Sequence, residues 1–178
     1  MDASGLGGSL ARMYIEQIAL IVADYDEGIR FFVDALGFEL VEDSPALTSR
    51  SGRPKRWVVV RPPGSRTSLL LAKAEGERES DAVGDQFAGR VGLFLRVEDF
   101  QASYDRMRDA GVEFVGEPRE EPYGTVAVFL DVAGNRWDLL GPRRTPADPS
   151  QPIRFTVSAS VWALEHVNVA GAVVARVA

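Results

Sequence analysis

One segment of this chain occurs twice. Residues 22–43 read VADYDEGIRFFVDALGFELVED, and residues 97–117 read VEDFQASYDRMRDAGVEFVGE. They align at an offset of 75 residues, which becomes 74 after a one-residue deletion at Leu36. Val22 then meets Val97, Asp24 meets Asp99, Asp34-Ala35 meets Asp109-Ala110, and Gly37 meets Gly111. Shared order of this kind marks two copies of one supersecondary unit.

Each copy carries the same grammar. An apolar, β-branched run predicts a strand, at Gln17–Val22 and Val91–Val97. An aspartate follows, Asp24 or Asp99, where an N-cap carboxylate would accept the free N–H groups of a helix's first turn. Ile29, Phe32, Val33 and Leu36 recur at helical spacing, as do Tyr104, Met107 and Ala110. Gly37 and Gly111 close the helices as left-handed caps. Three strands then follow each helix: Phe38–Glu42, Trp57–Arg61 and Ser68–Ala72, and Glu113–Val115, Val126–Leu130 and Arg136–Leu140. The expected fold class is α+β: tandem βαβββ modules, 13–75 and 90–142, forming a curled, half-barrel mixed sheet with a concave pocket.

Composition narrows the function. Of 178 residues, 46% are hydrophobic, enough for a core in one domain. Lys and Arg total 20 against 26 Asp and Glu, a net charge of −6, which suits neither a phosphate backbone nor any nucleic acid. There is no cysteine, so disulfides, zinc knuckles and thiol catalysis are excluded, and a single histidine, His166, excludes sites that need two. No apolar run is long enough to span a membrane. Residues 1–12 are small, Gly-rich and unlike a signal peptide, so the expectation is a flexible extension on a cytoplasmic protein, with Met13 as a second candidate start. Residues 145–178 begin with the Pro-rich TPADPSQP and continue as an apolar tail of uncertain structure. Residues 13–144 are read as the functional domain, and they hold the whole charge, 17 basic against 23 acidic.

The phrases QIALIVADYDEGIRFFVDALGFEL and EPYGTVAVFLDVAGNRWDLLGP, in tandem modules, resemble the vicinal oxygen chelate superfamily. That group holds glyoxalase I, bleomycin-resistance proteins, extradiol dioxygenases and fosfomycin-resistance proteins. The resemblance covers residues 13–142 and implies a homodimer. It also implies four metal-ligand positions, on the first and last strands of each module. Carried onto this chain they are Gln17, Ser68, Gly92 and Asp138. One amide, one hydroxyl, one glycine and one carboxylate make a poor chelate, because transition metals favour imidazole and hard cations want several oxygens. The expectation is therefore no cofactor. The alternative is a divalent ion (nickel, zinc, manganese or iron) on Gln17 and Asp138.

Strand alternation assigns the pocket wall. If Gln17 and Gly92 face the concave side, Ala19, Ile21, Phe94 and Arg96 do too, while Ile18, Leu20, Val22, Leu93, Leu95 and Val97 pack against helices. Gln17, Arg96, Phe94, Trp57 and Ser68 are the candidate ligand-binding residues, and Asp138 the candidate catalytic residue. Arg96 offers a planar fork to an anionic group, or pairs with Asp138, or sits in water. Trp57, Phe94 and Trp137 stack on an aromatic ligand or fill the core. Tyr123 sits at the pocket mouth or packs in its turn. The basic run at Arg50, Arg53, Lys55 and Arg56 reads as a solvated hairpin or an anion-recruiting rim.

The reading favoured by these residues is a glyoxalase/bleomycin-resistance-like protein that binds a small organic ligand in the cleft, without a full metal site. The alternative is a divalent-metal-dependent glyoxalase-like lyase, isomerase or dioxygenase.

Overall fold

The computed structural model describes residues 13–48 and 52–143. The 1–12 extension, Arg50 and the 145–178 tail with His166 lie outside the described residues.

Both modules form as the repeat predicts. Strand β1 (Gln17–Val22) leads into helix α1 (Tyr25–Ile29), then β2 (Glu39–Leu47), β3 (Pro54–Arg61) and β4 (Ser68–Lys73). After helix α2 (Glu77–Asp81), the second module runs β5 (Val91–Arg96), α3 (Phe100–Asp109), β6 (Arg119–Glu121), β7 (Gly124–Leu130) and β8 (Arg136–Leu140). The strands make two four-stranded sheets, ordered β1-β4-β3-β2 and β5-β8-β7-β6, which do not close into a barrel. In each sheet the first and last strands pair in parallel and the rest antiparallel.

The local signals act as expected. Asp24 accepts from the N–H groups of Asp26 and Glu27, at 2.9 and 3.2 Å, and Asp99 from that of Ala102, at 3.0 Å. Gly37 and Gly111 have φ of 75° and 82°, the left-handed conformation that a helix stop needs. Two elements differ. The first helix continues as a π-helical segment (Arg30–Ala35), with Leu36 N–H bonded five residues back to Phe31 O. The strand expected at Glu113–Val115 is reduced to a bridge between Phe114 and Phe129. Gly116, at φ 92°, and Pro118 interrupt the chain there, and pairing with β7 resumes only at Arg119.

The helix-side faces of both sheets meet in one core. Leu20, Val22, Val58, Val60 and Leu71 from the first sheet join Leu93, Phe129, Trp137 and Leu139 from the second. Phe32 bridges the modules, its ring 5.6 Å from Phe38 and 5.9 Å from Trp137. Each such fully buried side chain contributes about 1.5–3 kcal/mol. Gly28 lets α1 lie flat on this layer, since a Cβ there would sit 3.0 Å from Leu71 Cδ1. With the apolar faces turned inward, Gln17, Ala19, Phe94 and Arg96 are left exposed on the opposite faces.

The turn before β8 is built on one carboxylate. Buried Asp131 accepts at Oδ1 from the N–H groups of Ala133, Gly134 and Asn135, at 2.9–3.0 Å. Its Oδ2 accepts from Asn135 Nδ2 at 3.1 Å and Trp137 Nε1 at 3.0 Å. Asp131→Ala would leave several buried donors unmet. We expect a loss of about 3 kcal/mol in urea-induced unfolding. A loss below about 1 kcal/mol would show that the turn does not depend on the carboxylate.

Candidate functional site

Strand register divides the candidate residues between two walls. On the first sheet Gln17 lies opposite Ser68, Ala19 opposite Leu70, and Ile21 opposite Ala72. Val59 pairs with Leu70, so Trp57, two residues back, shares that face. A cavity of about 450 Å³ opens at the Trp57 end, lined by Trp57, Leu70, Ala72, Lys55 and Glu79 among others. Gln17 and Ser68 sit at the other end of the strands and do not line it. The Ser68 hydroxyl is already used, donating to Glu16 O at 3.2 Å.

The basic run reads from sequence as a solvated hairpin or an anion-recruiting rim. The structure gives its described members separate roles. Arg53 pairs with Glu75 at 2.9 Å, and Arg56 with Asp43 and Asp26 at 2.5 and 2.7 Å. The Arg56 guanidinium holds the Asp43 carboxyl below its ordinary range. Lys55 instead lies over the Trp57 ring, 5.6 Å from its centre. Period-two alternation of Lys55 and Trp57 on one strand was the available signal for this pair.

The second wall is on β5, β8 and β7. Phe94 lies opposite Asp138, which lies opposite Val128; Arg96 lies opposite Leu140. Phe94, Arg96 and Asp138 thus share a face, as alternation predicts. Gly92 does not follow them. A bulge sits between Val91 and Leu93, so Val91, not Gly92, stands opposite Arg136. The pairing at Gly92 is therefore not the regular one that simple alternation assumes. Its side-chain space is also taken, because a Cβ on Gly92 would lie 2.1 Å from the Phe87 ring.

Arg96 donates through Nη1 to the carbonyl of Gly141. It makes no ion pair with Asp138 among the described residues, so the structural Arg96–Asp138 pair entertained from sequence is not formed. Asp138 is 7% exposed, and its Oδ1 is buried without a hydrogen-bond partner. Burial pushes its carboxyl above the ordinary range; nearby Arg119 opposes the shift and Glu121 adds to it. Tyr123 is raised too, first by burial and then by Glu121 and Asp138. Arg119 and Glu121 come from β6 and pair with each other at 3.0 Å.

The family's metal positions do not form a ligand set here. Gln17 is an exposed amide, the Ser68 hydroxyl is bonded to the main chain, and Gly92 has no side chain and no room for one. Only Asp138 offers a carboxylate, and no group of three or more acidic or imidazole side chains converges among the described residues.

Comparison with known proteins identifies the fold. The family described as Glyoxalase/Bleomycin resistance protein/Dioxygenase superfamily matches residues 14–139. The chain belongs to this superfamily. An uncharacterized protein of Shewanella frigidimarina is 53% identical over 127 residues, which cover 71% of this chain and 91% of that one. The crystal structure of UcmS2 is 32% identical, with a TM-score of 0.60, and the match covers 72% of this chain and 98% of that one. The structure of TnmS3, an antibiotic binding protein from Streptomyces sp. CB03234, is 30% identical with a TM-score of 0.58, covering 75% and 98%. As a superfamily member, this chain keeps the two-module frame. No helix among the described residues is long and apolar enough to cross a membrane.

The raised Asp138 carboxyl sets a pH test. The folded chain binds this proton more tightly than the unfolded chain, so stability falls as pH rises through the shifted value. Removing the charge should therefore help above that value and do nothing at pH 3, where Asp138 is protonated in both states. We expect Asp138→Asn to raise the thermal midpoint at pH 8 by roughly 2–4 °C, about 1 kcal/mol, and to leave it unchanged at pH 3. Calorimetric melting of both proteins at the two pH values checks this, and a lower midpoint for the variant at pH 8 would contradict it.

Proposed function

We propose that this protein binds a small planar organic molecule on its open sheet faces and holds it without chemical change. The observation that carries the reading is the Trp57 cavity. An indole with a cation over one face and Leu70 and Ala72 beside it forms a stacking platform of ligand size. The likeness to TnmS3, an antibiotic binding protein, supports binding as the task. Phe94 and Arg96 on the second wall, and Gln17 and Ser68 at the far end of the first, are the other side chains we assign to ligand contact. The chemistry of the four family metal positions supports binding without chelation, and gives the lyase or dioxygenase alternative no added support.

We further assign a homodimer and a cytoplasmic location. Tyr14 and Ile15 before β1, and Leu40, Val41 and Leu47 on β2, are exposed apolar side chains that a second copy would cover. The cysteine-free composition accords with the cytoplasm.

Acridone, a neutral planar aromatic, tests the reading. Titrated into the wild-type protein it should quench tryptophan fluorescence saturably. Trp57→Ala should weaken its affinity about ten-fold, the size of a lost aromatic stack of about 1.4 kcal/mol. Equal affinity in the variant would remove the Trp57 cavity from the account.

A further inference from the structure

The two modules differ on their helix sides. In the repeat alignment, Tyr104 and Arg108 stand where the first copy has Ile29 and Val33. Ile29 and Val33 pack against the core. Tyr104 and Arg108 lie four residues apart on α3, hence on one face of it. They bring a hydroxyl and a guanidinium to places that the first copy fills with methyl groups. The chain beside them differs too. After the single bridge from Phe114 to Phe129, Gly116 and Pro118 interrupt the strand. Between α3 and this segment lies a cavity of about 480 Å³, lined by Tyr104, Arg108, Val112, Phe114, Gly116 and Glu117. Phe129, the bridge partner, is fully buried on the core face of β7, so the cavity lies across the sheet from Phe94 and Asp138.

The polar groups at this cavity are unspent. Tyr104 is 7% exposed, its ring held between Phe100 and Phe114 at 5.8 and 4.4 Å. Its hydroxyl makes no hydrogen bond among the described residues, yet it is not sealed from solvent, and the cavity is the opening that Tyr104 lines. A phenylalanine would fill the same space without burying a polar group that lacks a partner. The Arg108 guanidinium lies over the Tyr104 ring, 5.6 Å from its centre, and makes no ion pair among the described residues. The Glu117 carboxylate, from the segment across the cavity, makes none either. Both are exposed, at the mouth. The charged side chains lining the cavity are therefore one cation and one anion that do not neutralise each other. An anionic ligand alone would meet Glu117, and a cationic ligand alone would meet Arg108.

We infer that this helix-side cavity is a second binding site, for a zwitterionic amino acid with an apolar side chain. The ligand carboxylate accepts from Arg108 and from the Tyr104 hydroxyl. The ligand ammonium donates to Glu117, and the side chain lies against Val112 and Phe114. Charge-assisted hydrogen bonds at both ends fix the ligand's direction, and the apolar floor takes its side chain. The site is independent of the Trp57 cavity, which opens on the first sheet.

Three probes that share one side chain test it on the full chain by titration calorimetry at pH 7.5: L-phenylalanine, 3-phenylpropionate (no ammonium) and 2-phenylethylamine (no carboxylate). Wild type should bind L-phenylalanine at least ten-fold more tightly than either analogue. Arg108→Gln should weaken L-phenylalanine and 3-phenylpropionate about ten-fold and leave 2-phenylethylamine unchanged. Glu117→Gln should do the reverse for the two analogues while also weakening L-phenylalanine. Both positions are exposed, so both variants should keep the wild-type thermal midpoint. Tyr104→Phe, which removes only the hydroxyl, should weaken L-phenylalanine about five-fold. Saturating acridone should not displace L-phenylalanine. The site is overturned if L-phenylalanine does not bind, if an analogue binds as tightly, or if the Arg108 and Glu117 variants leave its affinity unchanged. Displacement by acridone would also overturn it, by placing the amino acid in the Trp57 cavity. The binding function proposed above stands or falls separately, on the acridone titration of the Trp57 variant.

Discussion

The Asp131 carboxylate holds the two halves of this molecule in register. It fixes the turn before β8 and orients Asn135, whose side-chain oxygen accepts from the Gln86 main chain at 3.2 Å. The Gln86 side chain then acts as a short strand against the free edge of β1. It accepts from Ile21 N–H at 2.9 Å and donates to Ala19 O at 2.8 Å. An edge strand with unpaired groups is a liability, and here one amide from the inter-module link covers part of it. The next residue, Phe87, fills the space at Gly92. One buried acid thus leads, through two amides, to the joint between the modules.

That joint decides what the surfaces can do. Because the helix-side faces share one core, the opposite faces of both sheets stay outside it. Phe87, from the link between the modules, takes the space beside Gly92. The D-x-x-G-N-x-W phrase that is so recognisable in the sequence marks this scaffold through Asp131, Asn135 and Trp137; it does not mark an activity.

The repeat made most of the fold legible. Caps at Asp24 and Asp99, stops at Gly37 and Gly111, and β1 at Gln17–Val22 all follow from local chemistry that a sequence displays. What it did not display was tertiary. Alternation placed Phe94 and Asp138 on one face but gave no sign of the bulge at Gly92, because only the partner strand reveals an added residue. Gln86 and Phe87 lie in a linker with no periodic pattern, and their roles arise from contacts with β1 and β5, far away in sequence. The partnerless state of Asp138 was equally hidden, since a strand's residue pattern says nothing of which acceptors find donors. Lys55 looked like one more loop charge until its position over Trp57 set it apart from Arg53 and Arg56.

The central claim is that the walls of this superfamily member hold organic rings and do not chelate ions. Titration calorimetry of the purified full chain with nickel, zinc and manganese addresses it most directly. The account predicts no stoichiometric binding of any of the three. One equivalent of any ion bound tightly, and lost on Asp138→Ala, would contradict it.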